Sequence, residues 1–264
     1  MTPVAPLQVP VLMYHEIADA SLTPSRLAVS PDAFADQLAY LSDAGFNTIT
    51  AGELSAILAG GGGDLPERPI VLTFDDGYGD FYTQGLPLLK QYGFTATIFM
   101  TTGWIGKEGE AKLMLNWRQI AEVEQAGIEI GAHTCKHPQL DQLPEKVLHE
   151  ELYVSKSLLE DNLGLAVPGL AYPFGYSNAK VRQVARELGY VYAYAVDNAL
   201  TTDAASTFAI PRLTIKRTTT MPDFRKMVNG QDTVTLKRDR FFSSGFSVVR
   251  RAKSSLVAMR DQGK

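Results

Sequence analysis

The sequence predicts an α/β fold with a parallel sheet, and three observations carry that prediction. Five amphipathic stretches each end in a glycine followed at once by an apolar run: Ala44-Gly45-Phe46, Tyr92-Gly93-Phe94, Ala126-Gly127-Ile128, Leu163-Gly164-Leu165 and Leu188-Gly189-Tyr190. Glycine suits the left-handed residue that stops a helix, so helices and strands must alternate. Apolar runs of strand length lie at 10–14, 46–50, 69–74, 94–101, 127–132, 168–172, 190–196 and 209–215. Polar residues capable of chemistry sit just beyond several of these runs, and an alternating βα chain gathers its strand C-termini at one face.

The elements follow in order. The first run ends at His15, and Ser30-Pro31-Asp32 starts a helix by placing proline in its first turn, with Phe34, Leu38 and Leu41 at helical spacing behind it. Four glycines at 60–63 form a surface connection that lacks the Lys-Ser/Thr ending of a phosphate-binding loop, which excludes a nucleotide site of that kind. Run 69–74 leads into Asp75-Asp76-Gly77-Tyr78, and a helical stretch follows from Asp80. Run 127–132 leads into His133-Thr134-Cys135-Lys136-His137-Pro138. The helix expected over Pro144 to Leu163 carries His149 as a solvated side chain, and run 209–215 carries Arg212. Periodicity alone leaves a closed barrel and an open doubly wound sheet as alternatives.

Asp75 and Asp76 are the central chemical feature. Neighbours on an extended chain point in opposite directions, so two carboxylates serving one site need the bend that Gly77 permits. The alternative is a helix N-cap with a spare acid. His133 and His137 have the spacing of helical zinc ligands, but Pro138 opposes helix there and favours a loop leaving a strand. With one carboxylate from another strand end they make a two-histidine, one-carboxylate set with open coordination positions.

These residues resemble the metal-dependent polysaccharide deacetylases built on the NodB homology domain. Thr73-Phe74-Asp75-Asp76-Gly77 is similar to the family's first motif and His133 to Pro138 to its second. Tyr172-Pro173-Phe174-Gly175 is similar to the third, although Ala171 stands where the family usually has arginine. Val11-Leu12-Met13-Tyr14-His15-Glu16 resembles the poly-N-acetylglucosamine deacetylase branch, whose N-terminal histidine takes the acid's part. The fourth motif, Asp-x-x-x-Trp, is not visible, and the resemblance covers about residues 9 to 215.

The resemblance implies an irregular (β/α) barrel of about seven parallel strands. It also implies hydrolysis of N-acetyl groups on an N-acetylhexosamine-containing glycan, with release of acetate. Asp76, His133 and His137 would hold one divalent ion, zinc in the first place, with cobalt, nickel and iron also suited. Asp75 would be the general base, the Phe174 N–H an oxyanion donor, and His15 the proton donor to the leaving amine. Arg212 is the candidate to replace the missing arginine beside the base; an ordinary surface ion pair is its alternative. Tyr78, Tyr172, Pro173 and Tyr176 are the expected substrate-contacting residues, and Trp104 and Trp117 further candidates for sugar stacking. Acetyl esters or small non-sugar amides are alternative substrates. A non-catalytic glycan-binding module and an iron oxygenase, which uses the same ligand types, are alternative functions.

Composition agrees with one enzyme-sized domain: 264 residues, 45% hydrophobic. The net charge of −4 gives no reason to expect nucleic acid as a partner. Residues 231–264 hold eight Lys+Arg against three Asp+Glu, so a catalytic domain over 1–230 is expected to precede a basic tail or barrel-closing extension. A single cysteine, Cys135, excludes an internal disulfide. No segment approaches the ~20 apolar residues of a membrane helix, and residues 1–10 hold three prolines and no signal-peptide core. The chain as given is therefore expected to be cytoplasmic, or in the cell envelope or secreted if its start has been trimmed.

Overall fold

The computed structural model describes residues 8–19, 21–61, 63–107, 113–202 and 205–231. The first half forms β1 (Val11–Tyr14), β2 (Glu16–Ile17), β3 (Ala28–Val29), α1 (Pro31–Asp43), β4 (Asn47–Ile49), α2 (Ala51–Leu58) and β5 (Pro69–Phe74). A π-helical turn (Phe81–Gly85) then runs into α3 (Leu86–Tyr92), followed by β6 (Thr97–Met100) and α4 (Trp117–Gln125). The remainder is β7 (Glu129–Ala132), α5 (Glu145–Leu163), β8 (Gly169–Ala171), α6 (Ala179–Glu187), β9 (Tyr192–Tyr194), β10 (Leu213–Thr214) and α7 (Met221–Val228). The five glycine stops take φ between +66° and +87°, the left-handed conformation their positions require.

The main sheet runs β10-β1-β5-β6-β7-β8-β9 with every pairing parallel. It forks at β5, whose first half pairs with β4 (Ile49 opposite Val71) and whose last residues pair with β6 (Phe74 opposite Ile98). The two ends of the sheet meet at one segment. Ala195 N donates to Ile210 O at 2.8 Å and Ile210 N to Ala193 O at 3.0 Å, while Leu213 lies opposite Leu12. This is the expected irregular parallel barrel, with one local difference: run 209–215 is not a continuous strand. Pro211 has no N–H to extend a ladder, and the chain changes partner from β9 to β1 there. The short parallel pair β2–β3 was not anticipated.

Strand periodicity builds the site. Val11, Val71, Phe99, Ala171, Tyr192 and Tyr194 form the inner cluster, while Leu12, Tyr14, Leu72, Phe74, Ile98, Leu170 and Ala193 pack outward under the helices. Side chains alternate along a strand. Counting on by twos from the inner residues of β1 and β5 arrives at His15 and Asp75. Opposite parity to the outward Ile130 and Ala132 likewise places His133 on the inner side of β7. At the other end of the barrel Glu129 accepts hydrogen bonds from Thr97 Oγ1 (2.6 Å), Tyr192 OH (2.7 Å) and Gly52 N (3.0 Å), which ties the N-terminus of α2 across the opening. The expected basic tail or barrel-closing extension lies outside the described residues except for Gln231. Among the described residues no helix is long and apolar enough to cross a membrane.

Candidate active site

Asp75 follows β5 directly and faces inward, and Asp76 should then face away. Left-handed backbone at Asp76 (φ +76°) and Gly77 (φ +88°) turns the second carboxylate back toward the first. At φ +88° Gly77 takes without a Cβ penalty a conformation that other residues rarely adopt. Neither aspartate caps a helix, because the helical turn starts beyond Asp80.

The histidine segment is a loop. Thr134 and His137 have φ of +66° and +60°, and such strained non-glycine backbone persists only when its surroundings hold it. Thr134 Oγ1 accepts His137 N (3.0 Å), while Glu151, buried on α5, accepts Cys135 N (3.0 Å) and Lys136 N (2.8 Å) through Oε2. From the neighbouring strand end, Gly103 N donates to Cys135 O at 2.8 Å.

Asp76, His133 and His137 present one ligand atom each, all within 4.8 Å of one another. Asp76 Oδ1 lies 3.6 Å from His133 Nε2 and 3.4 Å from His137 Nε2. Ligands bound ~2.0–2.1 Å from a tetrahedral ion stand about 3.3 Å apart, so the spacing suits a metal. The protonation pattern agrees. His133 Nδ1 donates to Ala171 O at 2.7 Å, and a carbonyl can only accept, so this nitrogen carries the proton. Burial, opposed by Asp75, lowers the His133 pKa to about 3 and keeps the ring neutral. Its Nε2 lone pair therefore faces a carboxylate oxygen, an unfavourable arrangement that a cation between them would relieve.

Asp75 belongs to a different partnership. Arg212, on the segment that closes the barrel, is fully buried and donates from Nη1 to Asp75 Oδ1 (2.6 Å) and from Nη2 to Oδ2 (2.7 Å). It is held there by Nη1 to Thr73 Oγ1 and Nε to Ala195 O, each 3.1 Å. Burial pushes the Asp75 carboxyl up, but the Arg212 charge and its hydrogen bonds outweigh that and hold it well below the usual range. Its burial excludes a surface ion pair. His133 Nε2 is 3.9 Å from Asp75 Oδ2, which places this carboxylate beside the three-ligand set. His15 is partly buried, within the electrostatic reach of Asp75, Arg212 and His137, and desolvation lowers its pKa to about 4.

The aromatic expectations divide. Tyr172 is wholly buried, with its hydroxyl donating to Phe208 O at 3.1 Å, and Pro173 is buried beside it, so Tyr172 has no surface to stack on a sugar. Tyr176 is partly buried and stacks on Phe174, whose ring is 52% exposed and lies 4.7 Å from that of His137. Trp104 covers the same imidazole at 5.4 Å, while Trp117 packs against the core. Tyr78 hydrogen-bonds the Asp76 carboxylate, and burial together with that neighbour raises its pKa far above the ordinary tyrosine value. Sequence reasoning missed the Glu151 carboxylate and the Ala171 carbonyl, which orient the histidine loop from distant elements. It also considered Phe174 only for its backbone, although the ring is the exposed part.

A sequence model described as polysaccharide deacetylase matches residues 62–193, half of the chain. The Bacillus subtilis protein YxkH, whose name places it among the polysaccharide deacetylases, is 35% identical over 185 residues, covering 70% of this chain and 63% of that protein. A Staphylococcus aureus poly-β-1,6-N-acetyl-D-glucosamine N-deacetylase is 27% identical over 163 residues, covering 58% and 56% respectively. This chain thus spans less than two thirds of the length of either relative. Among solved structures, Streptococcus pyogenes deacetylase PplD in complex with acetate superposes with a TM-score of 0.77 at 29% identity, over 85% of this chain and 99% of that one. The chain belongs to the polysaccharide deacetylase family.

Proposed function

We propose that this protein is a metal-dependent hydrolase that removes N-acetyl groups from an N-acetylhexosamine-containing polysaccharide or oligosaccharide and releases acetate. The observation that carries this is the division of labour between adjacent carboxylates: Asp76 faces two histidines, whereas Asp75 is held by Arg212 beside them. Asp76, His133 and His137 would hold the divalent ion, zinc first among cobalt, nickel and iron, and it would supply Lewis acidity that polarises the acetyl carbonyl and acidifies water. Asp75 then takes a proton from the attacking water. Arg212 keeps Asp75 ionised and orients it, and the Phe174 N–H supports the tetrahedral oxyanion. The C–N bond breaks as the departing amine gains a proton, which His15 delivers. Burial holds His15 neutral at rest, so Asp75 hands it the proton taken from water, His15 passes a proton to the amine nitrogen, and both residues return to their starting charge. Phe174 and Tyr176 offer the face on which a sugar packs. Acetate release over a panel of N-acetylated glycans with defined metals tests the reading, and a panel yielding none would refute it.

Two variants probe the supporting roles. His15→Ala should damage cleavage of an N-acetylglucosamine oligomer far more than cleavage of an activated aryl acetate, because an expelled amine anion needs a proton and a phenolate does not. Equal losses on both substrates would make His15 a positioning residue. Tyr78→Phe removes a hydrogen bond to Asp76 and should weaken zinc affinity by about 10- to 100-fold, the scale for groups that orient metal ligands. Competition with a chromogenic chelator measures it, and unchanged affinity would reduce Tyr78 to packing.

A further inference from the structure

The buried face of α5 reads Leu148, Glu151, Leu152, Ser155 and Leu159, a helical stripe of core positions with one charge in it. A carboxylate on such a stripe gives up hydration and needs donors in return. Glu151 is 7% exposed, whereas its neighbour Glu150 is open to solvent. The donors come from the loop that carries the two histidines. Cys135 N and Lys136 N, successive peptide groups, both donate to Glu151 Oε2, at 3.0 and 2.8 Å. Successive N–H groups converging on one point make an anion-binding concavity, and hydrogen bonds to an ionised acceptor are stronger than neutral ones.

The loop held in this way has a strained backbone, with positive φ at both Thr134 and His137. A second support is the 3₁₀ turn Thr102–Trp104, where Thr102 N donates to Thr134 O at 3.1 Å and Gly103 N to Cys135 O at 2.8 Å. Those bonds run from backbone to backbone, so they do not depend on which side chains the turn carries. The Glu151 bonds depend on one carboxylate. They pin the peptide groups midway between His133 and His137, whose ring centres lie 4.8 Å apart. A loop released from this clamp would spread over other conformations, and an ion could bind only the fraction in which both rings face Asp76. Apparent affinity falls in proportion to that fraction.

We propose that Glu151 is a positioning residue for the metal centre, acting through the peptide groups of Cys135 and Lys136 to keep His133 and His137 ready for the ion before it arrives. The inference rests on the metal site of the deacetylase reading and is independent of the substrate. Zinc affinity, measured by competition with a chromogenic chelator well below the melting temperature, should fall about 10- to 100-fold in Glu151→Ala. Glu151→Gln keeps the shape and one acceptor oxygen but lacks the charge, so it should recover part of the loss; it also stands in if the alanine variant does not fold. In metal-free protein the Cys135 and Lys136 amides should exchange with solvent faster in both variants than in wild type. Leu152→Ala is the control, because it hollows the core at the adjoining position of α5 and removes no hydrogen bond. It should lower the melting temperature and leave zinc affinity unchanged. Unaltered zinc affinity in both Glu151 variants, or an equal loss in Leu152→Ala, would overturn the inference and leave the metal site standing. Wild-type protein that binds no divalent ion would instead overturn the metal site itself, and this role with it.

Discussion

Asp75→Asn is expected to lower kcat for acetate release by at least about 10²-fold, the scale of a lost general base, while the bound metal stays at full stoichiometry. Asparagine nearly keeps the shape of aspartate and still offers one oxygen to Arg212, but it cannot take a proton from water. The buried guanidinium then faces a neutral amide, and breaking a buried pair costs about 3–5 kcal/mol, so the variant should also melt at lower temperature and be assayed well below its transition. Two outcomes count against the assignment. Near-normal turnover would remove Asp75 from the chemistry, and loss of the metal would show that the two aspartates have exchanged roles.

His133→Ala and His137→Ala should each abolish stoichiometric binding of the divalent ion and lower turnover on the order of 10³-fold, since a Lewis acid contributes several kcal/mol to charge stabilisation in the transition state. The two sites are not equivalent. His133 is fully enclosed and its tautomer is set by Ala171 O, whereas His137 is partly exposed between Trp104 and Phe174. His133→Ala therefore also opens a cavity and leaves the Ala171 carbonyl without this donor, which should lower stability more than His137→Ala does. Elemental analysis after gel filtration decides the metal assignment. Full metal content in both variants would be incompatible with a three-ligand site.

The repeating frame is written locally in the chain. The glycine stops and apolar runs are local signals, because helix termination and strand alternation depend on a few neighbouring residues. They placed the eight main strands within a few residues, and they put His15, Asp75 and His133 at strand ends. The paired Asp75-Asp76 and His133/His137 motifs were likewise legible, since each lies within five residues of chain.

How these ends meet depends on long-range packing. Arg212 and Asp75 are 137 residues apart, and no spacing rule connects them; they join because the chain closes the barrel at Pro211-Arg212 and turns the guanidinium inward. Ala171 stands where the family usually has arginine, yet its backbone oxygen, which carries no side-chain signature, sets the His133 tautomer. Burial made the same kind of decision for the aromatics. Tyr172 and Phe174 are two residues apart in one motif, but Tyr172 turns into the core to reach Phe208 O while left-handed backbone at Phe174 leaves its ring exposed beside His137. Which of two neighbouring rings a substrate can touch depends on what packs behind each, and that is set by distant segments of the chain.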